Sequence, residues 1–206
     1  MALENLQSTD ETLFVAFRNR YFLMRHGESL ANVADKIISS PHNGCAGFGL
    51  SSLGREQALL SARQSELGPE TRVICSDFLR TRETAEIAAE ALGCPPPSLD
   101  VRLRERFFGP WEGSSTANYH PVWLRDEQNP TDPGEGVETA AALTSRLTEV
   151  IASLEESSRD QCFLLVSHGD PLRFLQLWAW QRPLQAHQSL AHFTPAEIRE
   201  LSPVGT

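Results

Sequence analysis

The 206-residue sequence holds a single lysine, Lys36, no Cys-x-x-Cys pair and no apolar run long enough to cross a bilayer. The run at residues 13–17 is shorter than the core of a secretory signal, so a cytoplasmic address without membrane attachment is expected. The four cysteines, Cys45, Cys75, Cys94 and Cys162, are widely spaced and read as reduced thiols of a cytosolic protein. Positive charge is scarce overall. A formal net charge of −9 repels polyanions and argues against a nucleic-acid partner. Any phosphate site must therefore be built from a local cluster of donors. His42, His120, His187 and His192 lack metal-ligand spacing and read as solvated or structural. No Gly-x-x-x-x-Gly-Lys-Ser/Thr loop or Gly-x-Ser-x-Gly elbow is present, and residues 44–49 have their glycines in the wrong order for a dinucleotide fingerprint.

What is present is an alternation of short apolar runs with helical stretches. The chain length suits one domain. Residues 1–19 read as a polar extension and residues 20–206 as the folded domain. Tyr21-Phe22-Leu23-Met24 and residues 72–75 and 162–166 have the unbroken apolar character of buried parallel strands. A shorter strand is expected near Leu99 and Val101, beyond the extended Pro95-Pro96-Pro97 connector. Ser51 should cap a helix that stops at Gly68-Pro69, and the alanine stripe Ala85, Ala88, Ala89 should end at Gly93. A third helix is expected over 137–154. A fourth is expected from Asp170 as N-cap and Pro171 as first residue to about Trp180. Residues 107–136 read as irregular, and 188–193 as an added edge strand. The sum is a single-domain α/β fold, a mostly parallel sheet with helices on both faces.

Ligands of such sheets bind beyond the carboxyl ends of the strands, and three of these strands end in polar clusters. They are Arg25-His26-Gly27-Glu28-Ser29 with Asn32, then Ser76-Asp77 leading to Arg80, and Ser167-His168-Gly169. Glu105 follows the short strand. Taken in order, these motifs resemble those of the histidine phosphatase superfamily, with its phosphoglycerate-mutase-like, Rossmann-type three-layer fold. The similarity runs from about Tyr21 to Trp180 and includes Leu103-Arg104-Glu105 and Phe108-Gly109-Pro110-Trp111-Glu112-Gly113.

The resemblance implies a small phosphorylated substrate, no cofactor and no metal. His26 is implied as nucleophile, Arg25 and Arg80 as a phosphate clamp and His168 as a second catalytic histidine. Gly27, Asn32 and Gly169 are assigned to substrate binding, although Asn32 also suits a loop-stabilising role. Planar guanidinium groups fit phosphate oxygens in a fork. A neutral imidazole held through its other nitrogen is a competent nucleophile, and a protonated His168 would add charge where the transferring group is most anionic. Glu105 is the candidate acid for the leaving oxygen, a role that needs a raised pKa; Glu28 and Glu112 compete for it. Arg82, Arg102, Arg104 and Arg106 read as surface or structural residues.

Mutase relatives carry a longer insertion with paired arginines. Here residues 114–145 contain one arginine, Arg125, and Phe108 replaces a tyrosine expected of mutases. A phosphatase is therefore favoured. A phosphoglycerate-mutase-type phosphotransferase and a non-catalytic phosphate-binding module are the alternatives, and the acid Glu105 argues against a protein phosphohistidine phosphatase. Phe107, Phe108, Trp111, Tyr119 and Trp123 either wall the crevice mouth or pack their segment onto the sheet.

Overall fold

A computed structural model describes residues 17–132, 134 and 136–202. Most of the expected N-terminal extension lies outside the described residues. Its last three residues are held: Phe17 packs on Tyr21 and Trp178, and Asn19 Nδ2 donates to Glu155 Oε1 at 2.9 Å. The chain order is β1 (Arg20–Arg25), α1 (Leu30–Val33), α2 (Pro41–Gly44), α3 (Ser52–Gln64), β2 (Arg72–Cys75) and α4 (Leu79–Leu92). There follow β3 (Ser98–Leu99), α5 (Tyr119–Gln128), α6 (Ala140–Ser157), β4 (Cys162–Ser167), α7 (Gly169–Ala179) and β5 (Ile198–Glu200).

The sheet order is β3-β2-β4-β1-β5, with β5 alone antiparallel. Side chains of a strand alternate between faces, and in β1 both faces are apolar. Tyr21 and Leu23 join Leu143, Leu147 and Val150 of α6 and Leu172 and Leu175 of α7. Phe22 and Met24 join Ala58 and Ala62 of α3 and Ala85, Ala88 and Ala89 of α4. Helices thus cover both faces, as the sequence implies, and all four strand ends that matter open on one rim.

Several local expectations are corrected. Residues 188–193 do not pair into the sheet; Leu184–Ser189 is a 3-10 helix, and the edge strand is Ile198–Glu200. The stretch 107–136 is not irregular throughout, because α5 lies within it. The α3 helix ends at Gln64, short of Gly68, and Val101 begins a 3-10 turn instead of a strand. His168, not Asp170, is the N-cap residue of α7, which starts at Gly169. Asp170 is thereby freed for an ion pair with Arg173, Oδ1 accepting from Nη2 at 2.7 Å.

Candidate active site

His26 sits one residue past β1 and is buried. Its backbone N–H donates to Ser167 O of β4 at 3.0 Å, which keeps it in the sheet frame. Nδ1 lies 2.7 Å from Gly27 O, and Arg80 Nε donates to Nε2 at 3.1 Å. The tautomer satisfying both contacts carries its proton on Nδ1 and a lone pair on Nε2. Burial first, then the charges of Arg80 and Arg25, hold the imidazole well below its usual 6.5. At neutral pH this favours the uncharged ring, the form that could act as a nucleophile.

Gly27 and Gly54 explain how the chain reaches this point. A Cβ on Gly27 would lie 2.3 Å from Gly54 O, and one on Gly54 only 2.0 Å from Glu28 O. The two backbones touch where β1 runs out beside the start of α3. Gly27 N–H donates to Thr84 Oγ1 at 3.1 Å, so Gly27 serves to seat His26 and does not offer its N–H to the cleft.

The same Arg80 Nε donates to His168 Nδ1 at 3.2 Å, and His168 Nε2 lies 3.1 Å from Ser76 Oγ. Ser76, at the end of β2, is a partner that the motif contains but whose role its sequence does not mark. The two imidazoles stand edge to face at 5.3 Å between ring centroids. Burial, followed by Arg80, also depresses His168 well below 6.5. Burial and the neighbouring cation thus both favour its uncharged form. Arg80 Nη2 donates to Ile38 O at 3.0 Å, and Arg25 Nη1 to Phe193 O at 2.6 Å. Arg80 Nη1 and Arg25 Nε are buried without a hydrogen-bond partner. Such donors are costly to leave unmet, and their chemistry suits an anion.

Glu105 is buried, its Oε1 accepting from Arg106 N at 2.9 Å. Burial and then the Asp170 carboxylate raise its pKa to about 7. The competing acids are engaged elsewhere. Glu28 Oε1 accepts from Ser51 Oγ at 2.6 Å, and Glu112 accepts from Ser39, Ser40 and Asn43. Asn32 is exposed on α1, and its Oδ1 accepts from Ser29 N at 2.9 Å and Ser29 Oγ at 2.8 Å. That is the loop-stabilising role, and only its amide nitrogen is left to donate. Gly169 opens α7 and lines the cleft, with the partly positive N-terminus of that helix behind it.

The cleft is completed by Tyr119, Trp123, Asp170, His192 and Phe193 around Arg25 and Glu105. Of the aromatic candidates, Tyr119 and Trp123 wall it. Phe108 is fully buried beneath Tyr119, while Phe107 points outward at 43% exposure. Trp123 Nε1 donates to Asp170 Oδ2 at 3.0 Å. Arg104 pairs with Asp77, Arg102 with Asp100 and Arg106 with Asp126, so these arginines are structural. Among the described residues, no three His, Cys, Asp or Glu side chains converge in an arrangement that could hold a metal ion.

Comparison with known proteins points to one family. Residues 21–205 match the histidine phosphatase superfamily (branch 1). A protein of Escherichia fergusonii named "Probable phosphoglycerate mutase GpmB" is 37% identical over 155 residues, covering 72% of this chain and 68% of its own. The adenosylcobalamin/alpha-ribazole phosphatase of Salmonella typhimurium is 34% identical over 165 residues, 76% of this chain and 77% of its own. Among solved structures, a mycobacterial glucosyl-3-phosphoglycerate phosphatase in complex with VO3 superposes with a TM-score of 0.72. It is 26% identical and the match covers 90% of this chain and 92% of that one.

Proposed function

The chain belongs to the histidine phosphatase superfamily, branch 1, and from that membership and the site we propose that it hydrolyses a small phosphomonoester through a phosphohistidine on His26. The observation that carries the reading is the neutral His26 lone pair, joined to His168 through the shared donor Arg80 Nε, with Glu105 and Arg25 on the cleft wall. Phosphate oxygens take over the donors of Arg25 and Arg80, including Arg25 Nε and Arg80 Nη1. His26 Nε2 attacks phosphorus as Glu105 gives its proton to the departing alkoxide. His168, charged once the dianion is bound, stabilises the equatorial oxygens. Glu105, now ionised, takes a proton from water as that water attacks phosphorus, releasing phosphate and restoring both groups. Residues 20–206 form the catalytic domain in this reading. A cytoplasmic address belongs to it too, supported by four unpaired cysteines.

A mutase needs cations for the substrate carboxylate. Arg125, the one arginine of residues 114–145, lines a separate recess with Arg106 and Asp126. Tyr119, Trp123 and Phe193 on the leaving-group side favour an apolar or ring-bearing alcohol over a second phosphate. The test is phosphate release from a panel of phosphomonoesters by wild type and His26→Ala. Release that vanishes in the variant supports the reading. No release from any ester by folded wild type would turn it toward a mutase or a binding module. A bisphosphorylated sugar or glycerate as far the best substrate would overturn the leaving-group preference.

A further inference from the structure

Glu105 lies in residues 104–108, a stretch with neither helix nor strand. Acid catalysis nevertheless demands that its carboxyl be placed within about 0.5 Å. The stretch is gripped by Arg146 of α6. Arg146 Nη1 donates to Arg102 O at 2.5 Å and Arg104 O at 2.9 Å, and Nη2 to Glu105 O at 3.1 Å. Its remaining donors go to Glu138, Nε to Oε1 at 2.7 Å and Nη2 to Oε2 at 2.9 Å. A guanidinium has five N–H groups, and this grip engages them all. Glu138 extends it, its Oε2 accepting from Phe107 N at 3.1 Å.

We propose that Arg146 is the positioning residue for the acid, holding Glu105 against the leaving oxygen through the carbonyls around it. The inference rests on the hydrolase reading above. Arg146 reaches the backbone of Glu105, not its carboxyl, so it acts through that residue. Its own helix does not need it, because α6 is held by Leu143, Leu147, Val150 and Ile151 in the core. A second tie, Ser167 Oγ donating to Leu103 O at 2.7 Å, references the same stretch to β4, the strand that delivers His168. The acid and the second histidine thus share one frame. Lysine has three donors at a single point and cannot span three carbonyls and a carboxylate.

The test compares Arg146→Lys and Arg146→Gln on glycerol 2-phosphate, whose alkoxide needs a proton, and 4-nitrophenyl phosphate, whose anion leaves unaided. The ratio of the two rates in one preparation is independent of how much protein is folded. Read as kcat/KM, which covers phosphoryl transfer to His26 but not the later attack by water, the glycerol ester should lose ~10- to 100-fold, up to the lower end of the roughly 10²- to 10⁴-fold worth of general acid catalysis, and the aryl ester far less. In a Glu105→Gln background, Arg146→Gln should cost nothing further on the glycerol ester. Equal losses on both esters, or none, with Glu105→Gln selective, would overturn the assignment of Arg146 and leave Glu105 as the acid. Equal losses in Glu105→Gln as well would remove both, and a wild type releasing phosphate from neither ester would remove the hydrolase reading itself.

Discussion

The acid role proposed for Glu105 needs a proton at a pH where a solvated carboxyl has lost it, and burial beside Asp170 raises its pKa to about 7. For the hydrolysis of an alkyl phosphate, kcat/KM reports the free enzyme and should decline as pH rises through about 7. The Glu105→Gln variant should show no such limb, at a level roughly 10²- to 10⁴-fold lower. His26 is already neutral well below 6.5, so it imposes no loss near neutral pH. The same shift enters folding. In the unfolded chain Glu105 ionises near its ordinary 4.5, while in the folded protein it stays neutral to about 7. Stability is full below the first value and is lost as pH rises through the second. The Glu105→Gln variant should therefore melt higher than wild type at pH 8 and show no such gain at pH 4; a gain of equal size at both would refute the linkage.

Pairs of elements decide where the site residues stand. The contact between the end of β1 and the start of α3 leaves no room for a methyl group at Gly54. A Gly54→Ala variant should lose about 1–3 kcal/mol or more by overpacking, and catalysis with it, because Gly27 O would no longer hold His26 Nδ1. Gly169→Ala, whose Cβ meets nothing within 4 Å, should leave the melting temperature almost unchanged. Chemical denaturation of both variants checks the contrast. The strands β1, β2 and β4 were legible because both their faces are apolar. The α5 helix was not, since much of what it turns inward is polar. Asp126 meets Arg106 and Trp123 meets Asp170, so no apolar stripe marks the helix. The edge strand β5 is Ile-Arg-Glu, held by its backbone ladder with β1. At the site, His26 and His168 were legible as motif residues just past strand ends, and Arg80 as a motif residue beyond β2, where it stands near the start of α4. The acceptor for Arg25, Phe193 O, and the carbonyls held by Arg146 were not, because a carbonyl has no letter in the sequence. Asp170 was legible only as a helix cap, a role it does not take.

Over the whole molecule the charge is −9, yet the crevice buries Arg80 and half-buries Arg25. The positive field that a phosphate needs is thus local, supplied at the rim of the sheet by these side chains and the N-terminus of α7. Phosphate release should accordingly be unchanged by EDTA, and loss of activity on chelation would overturn the metal-free scheme. The sheet order carries a further consequence. β1 is flanked by β4, where Arg20 pairs with Cys162, and by β5, where Phe22 pairs with Glu200. Both neighbours of β1 are therefore made only after β2, β3 and the helices between them. Long-range pairing of this kind is slow and leaves strand edges open meanwhile. The nascent chain can build α3, β2 and α4 while β1 waits unpaired. The His26 imidazole is thus translated before the strands that house it, and a polypeptide interrupted before β4 has the side chain but no workshop for it.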